Sequence, residues 1–228
     1  MKNLNKIILA CMLSLFGFAN LQSQDWADLN RFKDDNAKLP AVQENEKRIL
    51  FMGNSITIGW LNLRPEFFAN KPYVNRGISG QTTPQMLVRF RQDVIDLHPK
   101  VVIILAGTND IAGNTGPSTL EMIMDNIKGM TEMAKANDIK VILSSTLPAY
   151  DYPWKPGLEP SGKIISLNKM IKEYAELNGH IYLDYFSAMV DERNGLPKKY
   201  AEDEVHPTVA GYKVMEPLVE AAIKEALK

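Results

Sequence analysis

The sequence predicts an α/β protein: a three-layer α/β/α sandwich around a five-stranded parallel sheet, with the flavodoxin-like strand order 2-1-3-4-5. Three observations lead there. Val101-Val102-Ile103-Ile104-Leu105 is an unbroken, largely β-branched apolar run, as expected of a central strand covered on both faces. Short apolar runs of this kind alternate with longer segments whose apolar residues recur at helical spacing. Each link between runs is long enough to cross over a sheet, so strand–helix–strand repetition gives parallel pairing.

The elements follow in order. Lys2 and Lys6 are basic, Ile7 to Ala19 is almost wholly apolar, and small residues come next. The apolar stretch falls short of the ~20 residues that span a bilayer. A secretory signal peptide over 1–23 is therefore predicted, with cleavage after Ala19 or after Ser23. A lipid anchor on Cys11 would need the apolar region to end after Ala10, which leaves it too short. Residues 24–228 are read as one domain, exported to the periplasm or beyond. It starts with a helix over 25–39 packed on the outside, an extension reaching to about residue 40.

Strands are predicted over 48–52, 73–77, 100–106, 140–145 and 180–185. Helices are predicted over 84–97 (Leu87, Phe90, Val94 and Leu97 on one stripe), 118–136 (Ile123, Ile127, Met130, Ala134) and 163–177 (Leu167, Met170, Ile171, Tyr174). A last helix runs from about Thr208, with Met215, Leu218, Val219, Ala222 and Ile223 facing inward. Pro217 lies inside that pattern, so a kink is expected there.

Composition narrows the function. A chain of 228 residues with 45% hydrophobic content can bury a sizeable core. Cys11 is its one cysteine, so the processed chain would have no disulfide and no thiolate ligand. Loss of Lys2 and Lys6 from 26 basic residues, against 27 acidic ones, moves the net charge to about −3. No basic face suggests nucleic acid as a partner. Beyond the leader no apolar stretch is long enough for stable membrane insertion, and nothing bears on oligomeric state. The chain lacks GxxxxGK, and its first crossover lacks GxGxxG. Three scattered histidines argue against a zinc centre. No cofactor and no metal are expected.

In open parallel sheets the ligand sits beyond the carboxyl ends of the strands. The segments to inspect are thus GNSIT (53–57), GISGQTT (77–83), GTNDIAGN (107–114) and the loop 147–162. Serine becomes a nucleophile only when a base takes its proton. His98 and His180 enter their strands from the amino end, the wrong edge. His206, in AEDEVHPTVAGY (201–212), alone can reach the carboxyl edge. Asp203 stands three residues earlier, a spacing that lets its carboxylate meet one imidazole nitrogen and fix the tautomer. Donors for a developing oxyanion are available from the Asn109 side chain and from the Gly80 and Ser55 backbone N–H groups.

Taken together, GNS after strand one, GISGQTT after strand two, GTND after strand three and DEVHP before the last helix resemble the SGNH hydrolases, the GDSL-type esterase superfamily. The resemblance runs from about Arg48 to the end of the chain. It implies that Ser55 is the nucleophile, His206 the base and Asp203 its partner, with Ser55, Gly80 and Asn109 forming the oxyanion hole. The nearest flavour is the branch of platelet-activating-factor acetylhydrolase subunits and bacterial carbohydrate acetylesterases. That implies a serine esterase acting on short acyl groups, O-acetyl on carbohydrate foremost, with a small-molecule or glycan ester as its partner. One departure stands out. Where the family name reads Gly-Asp-Ser-Leu, this chain has Gly53-Asn54-Ser55-Ile56. An asparagine at 54 can still hold the loop by hydrogen bonds.

Substrate contacts are sought in Asn54, Trp60, Tyr150 and Trp154. The aromatics of the 147–162 loop could stack on a sugar or simply anchor their own loop. Trp60 could wall a pocket or sit in the core. Arg64 and Arg76, near the same edge, could meet an anionic substrate. A lysophospholipase or thioesterase acting on longer acyl chains is the alternative enzyme. A catalytically silent glycan-binding module is the alternative from another class.

Overall fold

The computed structural model describes residues 25–228, so the predicted signal peptide lies outside the described residues. The described elements are α1 (Lys33–Lys38), β1 (Ile49–Gly53), α2 (Ser55–Leu63), α3 (Pro65–Phe68), β2 (Tyr73–Gly77), α4 (Thr83–Asp93), β3 (Val101–Leu105), α5 (Thr108–Ala112), α6 (Leu120–Lys135), β4 (Lys140–Ser144), α7 (Ser161–Asn178), β5 (Ile181–Leu183), α8 (Phe186–Met189) and α9 (Val209–Ala226). A short 3-10 turn, Ile95–Leu97, follows α4. All strand pairs are parallel, in the order β2-β1-β3-β4-β5.

The side-chain period of two divides the strands between two cores. Leu50, Met52, Val102, Ile104, Val141 and Leu143 face one layer, closed by Met86 and Phe90 of α4, Ile127 and Met130 of α6, and Leu167 and Ile171 of α7. Ile49, Phe51, Val101, Ile103, Leu105 and Ile142 face the other, closed by Ile56 and Trp60 of α2 and by Tyr212, Met215 and Val219 of α9. This two-sided coverage is why β1 and β3 are buried along their whole length.

Several expectations change. The outer helix predicted over 25–39 contracts to α1. Residues 25–32 form successive turns, in which Asp28 takes a positive φ of 55° and the Asp25 carboxylate accepts the Leu29 and Asn30 N–H groups at 2.7 and 2.8 Å. The segment still packs on the body through buried Ala27 and Phe32. Pro217 does lie inside α9, as the sequence places it, and the helix continues as one element across it. Four short helices, α2, α3, α5 and α8, occupy connections to which the sequence reading assigns no helix. Among the described residues no helix is long and apolar enough to cross a membrane.

The register sets the working edge. Gly53 at the end of β1 pairs with Gly77 of β2 on one side and Leu105 of β3 on the other. The segments that follow these three residues therefore leave the sheet together. Gly53 must be glycine for reasons of space: a Cβ there would collide with the Thr57 hydroxyl and come within 2.9 Å of the Leu105 carbonyl.

Candidate active site

Ser55 is the first residue of α2, immediately after the tight exit from β1. Asn54 caps the helix: its Oδ1 accepts the Ile56 N–H at 3.0 Å. At this position the Ser55 N–H has no acceptor among the described residues, as expected for the first turn of a helix. The serine is only partly buried, so its Oγ stays accessible at the sheet edge.

His206 approaches from the loop before α9. Its Nε2 lies 3.0 Å from Ser55 Oγ, and its Nδ1 lies 2.6 Å from Asp203 Oδ2. The other carboxylate oxygen, Oδ1, accepts the backbone N–H groups of Val205 and His206 at 3.0 and 2.7 Å. Glu204, at φ 62°, provides the bend that folds 203–206 back on itself. One carboxylate thus shapes the turn and orients the imidazole. With the Nδ1 proton held by Asp203, the Nε2 lone pair faces the serine hydroxyl. Partial burial pushes the Asp203 carboxyl upward, but the hydrogen bonds from the His206 backbone and ring and from Val205 outweigh it. The group is held below the usual carboxylate range and stays an anion.

On the other side of Ser55 the loops after β2 and β3 interlock. Asn109, buried in the first turn of α5, donates one Nδ2 hydrogen to the Gln81 carbonyl at 2.9 Å, leaving the second for a ligand. Gly80 takes φ 76°, its carbonyl accepts from Asn114 Nδ2 at 3.1 Å, and its N–H has no acceptor among the described residues. Ser55, Gly80 and Asn109 thus follow three neighbouring strands onto the same edge, with donors available at each.

Two supporting residues escaped sequence reading. Asp110 accepts the Thr83 N–H at 2.9 and 3.1 Å and the Thr83 hydroxyl at 2.5 Å, pinning the start of α4 to α5. Arg89 is fully buried. It donates to Gln81 Oε1, to Asp93 Oδ2 at 3.0 Å and to the carbonyls of Gly53 and Arg76 at 3.1 and 2.8 Å. It therefore clamps the ends of β1 and β2 to the loop that carries Gly80. The one sequence signal for Arg89 was its place three residues after Met86, on the buried stripe of α4.

The substrate contacts need correction. Asn54 is 1% exposed and its Oδ1 is committed to capping, so it offers a substrate almost no surface. Trp60 is 2% exposed and stacked between Phe67 (4.9 Å) and Tyr212 (5.4 Å), so it belongs to the core and not to a pocket wall. Arg64 is engaged by Glu216 at 2.8 Å and by Glu66. Arg76 is buried beside the Phe32 ring. Neither is open to an anion. Trp154 does remain: 43% exposed, it stacks on Tyr152 at 4.9 Å and stands 5.9 Å from the His206 ring. Tyr150 is equally exposed but lies under the Arg193 guanidinium at 5.2 Å.

Comparison with known proteins fits this arrangement. Residues 51–214 match the GDSL-like lipase/acylhydrolase family. The chain belongs to that family. Among solved structures, a proposed acylhydrolase of Bacteroides fragilis NCTC 9343 is 50% identical, with a TM-score of 0.88 over 90% of this chain and all of that one. A GDSL-like lipase of Bacteroides thetaiotaomicron VPI-5482 is 47% identical, with a TM-score of 0.86 over 88% of this chain and 98% of that one. An acetylxylan esterase of Xylanibacter ruminicola is 25% identical over 82% of this chain and 45% of its own length. The chain spans about half the length of the curated relatives it matches.

Proposed function

We propose that the protein is an exported serine esterase that removes short acyl groups, O-acetyl on carbohydrate foremost, through an acyl-enzyme on Ser55. The observation that carries this is the aligned series Asp203–His206–Ser55, at 2.6 and 3.0 Å. His206 takes the proton as Ser55 Oγ attacks the ester carbonyl, and the Asp203 anion stabilises the imidazolium that forms. The tetrahedral oxyanion is met by the Ser55 and Gly80 N–H groups and by the free Asn109 N–H. One such donor is typically worth ~3–4 kcal/mol. His206 then protonates the leaving alcohol, and water, activated the same way, releases the acid.

A small acyl group suits the packing on the oxyanion side, where Ile78, Gln81 and Asn109 are buried and tied to their neighbours. Carbohydrate as the alcohol is supported by the exposed Trp154 ring beside His206 and by the distant acetylxylan esterase relative. Export rests on the basic and apolar pattern of the first residues.

Initial rates on p-nitrophenyl esters from acetate to dodecanoate, with Ser55→Ala as the paired control, test the reading. Activity should peak at acetate and fall by at least ~10³-fold in the variant. A peak at long chains would shift the assignment to a lipase-like enzyme. Activity that survives Ser55→Ala would remove the nucleophile.

A further inference from the structure

In ester hydrolysis by such a relay, the proton that frees the alcohol comes from the imidazole. The departing oxygen must lie within hydrogen-bonding reach of His206 Nε2, and the carbon skeleton behind it occupies space that borders His206. A groove of about 570 Å³ begins at that residue. This volume falls within the ~300–1,000 Å³ usual for small-molecule sites. Leu63, at the end of α2, forms one wall, and Pro207, Val209 and Ala210, at the entry to α9, form the other. Leu63 and Val209 are large apolar side chains left 49% and 39% exposed, and both line this groove, which suits contact with an apolar surface.

The charges bordering the groove have one sign. Glu202 and Asp203 line it, and no lysine or arginine does. Asp203 is committed to His206. Glu202 has no ion-pair partner among the described residues. The two nearby arginines are already taken: Arg64, next to Leu63, by Glu216 and Glu66, and Arg193 by Asp191 at 3.0 Å and Glu204 at 2.6 Å.

We propose that this groove is the alcohol subsite, and that it selects an uncharged alcohol with an apolar face over an anionic one. The C–H face of a neutral sugar ring has that character: it can lie on Leu63 and Val209 while its hydroxyls stay wet. An alcohol bearing a carboxylate or a phosphate would bring its charge against Glu202 and Asp203, with no lysine or arginine lining the groove to receive it. The groove thus separates neutral glycan esters from uronates and from phosphate-bearing lipids. The proposal rests on the ester-hydrolase reading above.

The test compares kcat/KM on three acetate esters: ethyl acetate, an O-acetylated neutral methyl glycoside, and the same glycoside oxidised to the uronate. In the wild type the neutral glycoside should exceed the uronate by about tenfold at low ionic strength, and salt should shrink the gap. Glu202→Lys should narrow the low-salt ratio by about fivefold or more, through a faster uronate reaction. Leu63→Ser combined with Val209→Ser should lower the ratio of glycoside to ethyl acetate by about tenfold. These positions are exposed, so the variants should fold, and unchanged thermal melts would show it. Ethyl acetate turnover with a neutral-to-uronate ratio near one, or with ratios that neither variant moves, would overturn the groove assignment alone. No turnover of any of the three esters by wild type would overturn the hydrolase reading, and the groove with it.

Discussion

Asp110 is bonded directly to Asn109 and holds the start of α4 through Thr83, so its protonation state bears on the loops that carry Gly80 and Asn109. Burial pushes its carboxyl from an ordinary 3.8 up to about 6, although the Thr83 hydroxyl and N–H pull the other way. The sign of the stability effect follows. Between those two values the folded chain keeps a proton that the unfolded chain has lost. The contribution of Asp110 is therefore full below about pH 4 and declines as the pH rises through about 6. With 1.36 kcal/mol per pKa unit, the decline amounts to ~3 kcal/mol. Asp203 works in the opposite sense. Its carboxyl is held low, so its contribution is present above the ordinary carboxylate range and is lost as the pH falls through its folded value. Asp110→Asn should abolish the decline between pH 4 and 6 while leaving the loss at lower pH, as read from urea midpoints across that range. A variant whose stability still fell between pH 4 and 6 would place the titrating group elsewhere. Asp110 was hard to single out because GTND reads equally well as turn chemistry. Its partner Thr83 is 27 residues away, and only the fold brings the two together.

At the scale of elements, strands were the legible part. The five apolar runs lie within two residues of β1 to β5, because parallel strands buried on both faces leave continuous apolar signatures. The long helices were legible for the same reason, each carrying an apolar stripe. The short helices were not. Ser55–Leu63 reads SITIGWLNL, β-branched and interrupted by Gly59, with no polar face to mark a period. Its helicity comes from the Asn54 cap and from packing against β1 and β2, which propensity does not report. The loop after β4 shows a similar tertiary override. Asp151 accepts the N–H groups of Tyr152, Gly157 and Leu158, Lys155 Nζ donates to the Ala112 carbonyl at 2.6 Å, and buried Tyr152 meets the Thr108 hydroxyl at 2.8 Å. These bonds fix the ring on which Trp154 stacks. Tyr152→Phe would leave the buried Thr108 hydroxyl without its partner. It should cost ~1–3 kcal/mol in urea unfolding and raise KM for a glycan ester more than it lowers kcat. Unchanged stability would mean that the loop is held by Asp151 and Lys155 alone.

For the whole molecule, the decisive feature is that Ser55 and His206 are carried on opposite sides of one aromatic core. Ser55 opens α2 and His206 precedes α9. The two helices meet where Trp60 stacks on Tyr212 and where the Tyr212 hydroxyl donates to the Ile56 carbonyl at 2.7 Å. Phe51 of β1 supports the same cluster, with Trp60, Phe67 and Phe68 rings around it at 5.8, 6.2 and 5.2 Å. The alignment of Ser55 with His206 across 151 positions of sequence is therefore a property of this packing. Trp60→Ala would open a cavity beneath α2 and should destabilise the protein by ~3–5 kcal/mol. For a chain of this size that lowers the melting temperature by roughly 6–20 °C. Because Trp60 has no accessible surface for a substrate, KM for acetyl esters, measured well below the melt, should stay near that of the wild type. Any activity loss should appear in kcat and deepen as the temperature rises toward unfolding. A large rise in KM with stability intact would return Trp60 to the pocket wall. It would also mean that the spacing of α2 and α9 is set by something other than this aromatic stack.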